Sequence, residues 1–381
     1  SLITHRYPLD QATEAYGLIE GKRTEPYLGI VLNYSSKAGG EAITASRIDM
    51  TSLPIDKSKL SLSFFGAGNY ATASLLPHLR EKVNFAGLST ASGRTAQGVA
   101  SQFGFAFCAA DYGDLLGSDT DAVVIASRHD THASSVVRAL DACKHVYVEK
   151  PLALTADELD EVDSAYRRNK GCQLMVGFNR RFSPLTLALN EFFSGVKSPL
   201  VINIRVNAGM IPSDHWIQDP EVGGGRMIGE GCHFVDLASA LAASIPISVS
   251  AVGTSKGDKA PLLNDNILIT LVFDNGAIAN IVYTADGAKS MKKEYIEVFG
   301  GGKSAIINDF KEAHFYEGEA KSFTKKLGAQ DKGQANMLAA WVEGLKGGQP
   351  CVDYSCLYAN SLATILAVES LMTGLPIKVS S

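Results

Sequence analysis

The sequence predicts an α/β protein in two parts: a doubly wound parallel domain, then an α/β domain built on an open, mostly antiparallel sheet. Three observations carry this. An apolar run, Leu60–Phe65, breaks into Gly66-Ala67-Gly68-Asn69-Tyr70-Ala71. That is the strand, glycine turn and helix start of a Rossmann dinucleotide-binding domain: Gly66 makes the turn, Gly68 lets the backbone approach a pyrophosphate, and small Ala71 lets helix and strand pack closely. Ala122–Ala126 is continuously apolar, as strands buried on both faces of a parallel sheet are. Beyond Pro184 most strand-like stretches alternate apolar and polar residues, the mark of an antiparallel sheet with one solvated face.

In order, residues 1–34 read as a strand, a polar helix (Asp10–Gly21) and a second strand (Tyr27–Tyr34), too little to bury a core alone. Residues 35–58, rich in Ser, Lys and Gly, read as a linking loop. Residues 59–183 alternate: strand Leu60–Phe65, helix Asn69–Glu81, strand Asn84–Leu88, helix Arg94–Phe103, strand Ala122–Ala126, helix Ser134–Ala142, strand His145–Val148. Thr155 and Glu158 form a capping box for a helix whose apolar face is Leu159, Val162 and Tyr166, and strand Gln173–Phe178 completes the sheet. Residues 184–381 carry strands Val201–Val206, Ile247–Val252, Ile267–Phe273, Ala277–Tyr283, Tyr295–Phe299 and Ala305–Asn308. Asp274-Asn275-Gly276 is a strong hairpin signal and Gly300-Gly301-Gly302 a weaker one. Helices return at Ala335–Leu345 and Leu357–Met372, the second stopped by Gly374 and Pro376.

A length of 381 residues accommodates two ordinary domains, and 46% hydrophobic with 20% charged residues is a globular composition. A net charge of −5 argues against a broad nucleic-acid surface, and no apolar run reaches the ~18 residues of a membrane span. The six cysteines form no CxxC pair and no metal-ligand rhythm, so they read as reduced thiols of a cytoplasmic protein, and no metal is expected. The chain opens on Ser1 in mid-pattern, as a piece of a longer protein does.

The acidic residue that usually holds a ribose 2′-hydroxyl is missing about 20 positions after the glycine turn. The second strand ends instead in Gly87-Leu88-Ser89-Thr90, with Arg94 close behind. Hydroxyls beside a guanidinium suit a 2′-phosphate, so the reading leans to NADP over NAD; a solvated Arg94 in a first helical turn is the alternative. Between Ala126 and His132 a buried strand gives way to Ser127, Arg128, His129, Asp130 and Thr131. That is where a nicotinamide ribose is hydrogen-bonded in such sheets, or where Asp130 or Thr131 caps a helix. Lys150 of Glu149-Lys150-Pro151 lies just past a strand, placed either to meet a substrate oxygen as charge develops or to lie on the surface.

The segments GAGNYA, DAVVIASRHDTHA, KHVYVEKPLA, VGFNRRFSP and GGGRMIGEGCHFVDL, in that order, resemble the glucose–fructose oxidoreductase / inositol dehydrogenase / MocA family over residues 59–381. The resemblance implies an active site between the two domains, Lys150 as catalytic lysine before a cis proline, and His233 as acid/base histidine. It also implies a cofactor site that includes Asn69, Tyr70, Ser127, His129, His132, Glu149, Asn179 and Arg180, and an open sheet that makes a homo-oligomer interface. One position departs: where the family has an aspartate four residues before the histidine, this chain has Gly229. Either Glu230, one position on, serves as the third catalytic residue, or the proton takes another route. His233 and Asp236 share a helix face. His215 and Trp216 read either as a wall and polar contact of a sugar pocket or as core. Separately, Ile3–Ile19 is similar to the closing segment of zinc-type medium-chain alcohol dehydrogenases, which implies a fusion whose preceding module lies ahead of residue 1.

These residues lead to an NAD(P)-dependent oxidoreductase acting on a sugar, polyol or nucleotide-sugar hydroxyl. The rivals are a cofactor-binding regulatory or scaffolding protein of the same fold, favoured by Gly229, and a reductase of a non-sugar carbonyl.

Overall fold

The computed structural model describes residues 2–8, 11–33, 47–50, 55–117, 119–254 and 265–380, with the Arg94 side chain outside that set. The chain forms two compact units, Ser1–Ala45 and Ser46–Ser381. In the first, β1 (His5–Pro8) and β2 (Ile30–Asn33) pair in parallel, joined through α1 (Ala12–Ile19), which buries Ala15 and Leu18. This is the strand, helix and strand read from the sequence; Asp10 and Tyr34, placed at its ends, lie outside the described residues.

The second unit begins with a seven-stranded sheet: β3 (Arg47–Asp49), β4 (Ser61–Phe65), β5 (Asn84–Ser89), β6 (Phe107–Ala109), β7 (Ala122–Ile125), β8 (His145–Val148) and β9 (Leu174–Val176), ordered β3-β6-β5-β4-β7-β8-β9. All pairs are parallel except β3 with β6. Its helices are α2 (Leu76–Leu79), α3 (Gly93–Phe103), α4 (Tyr112–Leu116), α5 (His132–Asp141) and α6 (Ala156–Arg168). The helix expected over Asn69–Glu81 is wound as a π-helix over Ala71–Leu75 before α2. Pro77 explains the wider turn, because its ring clashes with the carbonyl four residues back and it has no N–H to donate. Thr155 caps α6 by accepting from the Glu158 N–H, whereas the Glu158 carboxylate reaches one residue further back, to the Leu154 N–H at 2.7 Å.

The chain then runs through α7 (Pro184–Phe193), β10 (Val201–Asn207), α8 (Cys232–Ala242), β11 (Pro246–Gly253), β12 (Asn266–Phe273), β13 (Ile278–Thr284), β14 (Glu294–Gly300), β15 (Lys303–Asn308), β16 (Glu312–Glu317), β17 (Lys321–Lys326), α9 (Gln334–Gly347), α10 (Tyr354–Thr373) and β18 (Ile377–Lys378). The nine strands make one sheet, β17-β16-β15-β14-β10-β13-β12-β11-β18, antiparallel except where β10 meets β13. Alternation along β12 buries Ile267, Ile269, Leu271 and Phe273 and leaves Leu268 and Val272 on the outer face. Both hairpin signals hold: Gly276, Gly301 and Gly302 have φ of +83°, +59° and +74°, values that favour glycine.

Two boundaries need correction. Part of the linking loop is an edge strand: β3 pairs with β6, and the Arg47 guanidinium lies 3.7 Å from the Phe107 ring centre. Residues 34–46 and 51–54 of that stretch are outside the described set. Nor does one cut at Pro184 separate the cores. Met337, Leu338, Trp341 and Val342 of α9 and Leu357 and Leu362 of α10 belong to the core of the parallel sheet. Ala363, Ala367 and Leu371, further along α10, belong to the core of the second sheet. Twenty residues long with a mean hydropathy of 1.2, α10 could cross a bilayer by length and composition; here it is the helix shared by both cores.

Candidate active site

The glycine turn at the end of β4 is built for close approach. Gly66 has φ +93°, and a Cβ there would run into the Ala126 carbonyl at the end of β7. A Cβ on Gly68 would meet open space. This space is a groove of about 660 Å³, lined by Gly66, Gly68, Ser89, Thr90, Ser127 and Thr131 among others. Beside it lies a cavity of about 560 Å³, and the two share the wall residues Gly68, Ala126 and Ser127. Both lie outside the carboxyl ends of the parallel strands, where open α/β sheets place ligands. A glycine cradle, a helix start and a groove at that edge fit a dinucleotide.

Lys150 and His233 both line the 560 Å³ cavity. Lys150 follows β8, its bond to Pro151 is cis, and its Nζ donates to the Gly229 carbonyl at 2.7 Å. An ammonium has three donors, so two remain for a ligand. His233, the second residue of α8, is 8% exposed, and its Nδ1 has no hydrogen-bond partner among the described residues. Burial, then the positive charges of Arg180, Lys150, Lys332 and Lys293, hold it well below its ordinary value. It is therefore a neutral imidazole at pH 7 with its Nδ1 unengaged among the described residues, and a weaker base than a free imidazole.

Residues 60–178 match the family model for an oxidoreductase family with an NAD-binding Rossmann fold, and residues 198–305 match the GFO/IDH/MocA C-terminal domain. The chain belongs to the Gfo/Idh/MocA oxidoreductase family. It is 27% identical over 326 residues to the uncharacterized oxidoreductase YrbE of Bacillus subtilis, covering 80% of this chain and 91% of that one. To D-xylose 1-dehydrogenase (NADP(+)) 2 of Haloferax volcanii it is 29% identical over 234 residues, 60% of this chain and 70% of that one. In fold it is similar to a levoglucosan dehydrogenase solved with NADH and levoglucosan, at TM-score 0.72 and 20% identity, covering 84% of this chain and all of that one.

A side chain at Gly229 would be crowded by side chains that would have to give way. A Cβ on Gly229 would lie 3.0 Å from Cε1 of His129 and 3.2 Å from Cγ1 of Ile217. Glu230, considered as a substitute for the family's aspartate, is occupied otherwise. It accepts from Tyr283 at 2.6 Å, from Arg226 at 2.8 Å and from Lys293. Burial alone would raise its pKa, but these partners hold the carboxyl well below the usual carboxylate range. A carboxylate so stabilised is a fixed anion and a poor proton acceptor.

Other expected residues divide. Tyr70, Ser127, His129, Glu149, Asn179, Arg180 and Trp216 line the cavity, and Trp216 stacks edge-on with His129 at 4.8 Å between ring centres. His132 also borders it, but both ring nitrogens face carbonyls, of Pro151 at 2.7 Å and Ser127 at 3.3 Å. It shapes the turn that presents Lys150. Burial pushes it down to about 4, and pushes His129, whose Nδ1 faces the Gly223 carbonyl, down to about 3. Arg180 is equally committed, bound through two nitrogens to Glu294, each at 2.8 Å. His215 caps the short turn Trp216–Gln218 and lines a separate exposed depression, not the cavity. The Asn69 side chain lines neither space; only its carbonyl is engaged, by the Thr72 hydroxyl. Arg94 starts α3, with its side chain outside the described set. Asp236 pairs with Arg181 behind the site.

Glu149 is fully enclosed, accepting from the Tyr147 hydroxyl at 2.7 Å, and burial raises it to about 7. Sequence reading missed Lys293, Lys332, Ile217 and Gln334 on the cavity wall. The two lysines carry no motif, and only folding brings β14 and the start of α9 to this edge.

Proposed function

We propose that this chain oxidises a sugar or polyol hydroxyl, or reduces the matching carbonyl, with NAD(P). The single observation that carries this is that Lys150 and His233 line one cavity that shares wall residues with the groove beside the glycine turn. A nicotinamide held there would supply the hydride acceptor for the CH–OH carbon. Gly66, Gly68, Ser89, Thr90 and Ser127 would hold the dinucleotide. Lys150 donates to the substrate oxygen, favouring the alkoxide-like charge of the transition state. His233 accepts the hydroxyl proton and returns it in the reverse direction. The substrate named for the D-xylose relative supports a small polyhydroxyl compound.

The proton route separates His233 from Glu230. In the wild type kcat/KM falls on the acid side as His233 becomes protonated. His233→Asn should lower the rate and abolish this limb. Glu230→Gln should lower thermal stability yet leave the limb in place; loss of the limb in Glu230→Gln would make the glutamate the acceptor.

For the cofactor, the reading favours NADP, on the absence of an acid after β5 and on Arg94. Arg94→Ala should weaken NADP binding by about 1.5–3 kcal/mol, the size of a charge-assisted bond, with NAD unchanged. Calorimetry showing equal loss for both returns Arg94 to solvent. The protein is further proposed to be cytoplasmic and to self-associate through the outer face of the nine-stranded sheet, where Val252, Leu268 and Ile278 are exposed; a monomer by light scattering overturns the second point.

A further inference from the structure

The cavity carries more positive than negative charge. Four cations line it: Lys150, Arg180, Lys293 and Lys332. Arg180 and Lys332 share one carboxylate, Glu294, and Lys293 shares Glu230 with Arg226. Among the described residues no carboxylate lies within ion-pair distance of Lys150, whose one bond is to a neutral carbonyl. Glu149, the remaining carboxyl on the wall, is held near half-ionisation at neutral pH by burial. The exposed carboxylates of Asp214, Asp219 and Glu221 line a different depression.

Lys293 and Lys332 each make one described side-chain bond, to Glu230 and to Glu294 at 2.6 Å respectively, which leaves two ammonium donors on each. Neither residue is needed to anchor its carboxylate. Glu294 keeps both bonds from Arg180, and Glu230 keeps Arg226 and Tyr283. A cation that shares an already neutralised carboxylate on the wall of a cavity raises the potential inside it, and low-dielectric walls concentrate that field. A neutral polyol leaves the surplus uncompensated.

We propose that the substrate carries an anionic group, a carboxylate or a phosphate, received by Lys293 and Lys332. This rests on the proposed function only in placing the substrate in this cavity. The test uses the full chain loaded with cofactor and measures binding by calorimetry, so it does not depend on turnover. D-glucose and myo-inositol are compared with D-glucuronate and D-glucose 6-phosphate, which also separates carboxylate from phosphate. At least one anion should bind tenfold or more tightly than its neutral counterpart, and the preference should shrink as salt rises. Lys293→Met or Lys332→Met should reduce that preference at least fivefold, the affinity for the anions falling more than that for the neutral sugars. Equal binding of neutral and anionic compounds, a preference unaltered in both variants, or no anion binding overturns the proposal. Turnover of neutral sugars alone would leave the oxidoreductase reading intact while this one falls. Selective anion binding without turnover of any compound would do the reverse.

Discussion

Lys150→Met should lower kcat by roughly 10²–10³-fold, the range seen when a preorganised donor to developing oxyanion charge is removed, while NAD(P) affinity stays within about twofold. Methionine keeps much of the apolar stem and loses the ammonium. The bond lost in the resting protein is the one to the Gly229 carbonyl, and Gly229 belongs to a π-helical turn whose neighbours hold it independently. Because the groove that would take the dinucleotide is walled mostly by other residues, the loss should fall on turnover. Stopped-flow absorbance of the reduced nicotinamide, with cofactor titrations on the same variant, separates the two quantities. Full activity in Lys150→Met would remove the lysine from the chemistry.

The second large effect is on stability. Glu294 is completely buried, bound by Arg180 through two bonds and by Lys332. Truncating one partner of a buried pair strands the other charge, so Glu294→Ala should cost about 3–5 kcal/mol. The double variant Arg180→Met/Glu294→Leu should recover much of that loss, because the buried guanidinium is gone and only Lys332, on the cavity wall, is left without its carboxylate. The wild-type pH dependence has a definite sign. Burial alone would raise the Glu294 pKa, but Arg180 and Lys332 bring it down to about 2 from an ordinary 4.5. A depressed acid stabilises the fold fully above its unfolded value, and that contribution disappears as pH falls from about 4.5 towards 2. Chemical denaturation across that range should show a shallower acid loss in the double variant than in the wild type.

Much of the fold was legible because its signals are local. The glycine turn, the doubly buried β7 and the hairpin glycines each depend on a few adjacent residues. β17 could not be read that way: Lys321–Lys326 is exposed throughout, so no alternation marks it. β6 is too short, at three residues, to show a period. In the site, Lys150 and His233 were readable from their flanking segments. Glu294 was not readable as the partner of Arg180, since 114 residues separate them and the pairing exists only when β14 reaches the turn after β9. The setting of Glu230 was hidden for a related reason: its adjacency to Gly229 is visible in sequence, whereas its partners Tyr283 and Lys293 arrive from β13 and the segment entering β14.

The sharing of α9 and α10 between two cores has a consequence for synthesis. The last strand of the parallel sheet ends at Val176, and the helices that finish its core begin only at Gln334. Until Trp341 and Leu357 emerge, the sheet's face beneath them stays open to water, with Tyr147 lacking its ring contact to Trp341. Domains usually fold as units in the order they leave the ribosome. Here the first domain is completed among the last, so a nascent chain stalled before α9 is expected to expose apolar surface and to depend on chaperones.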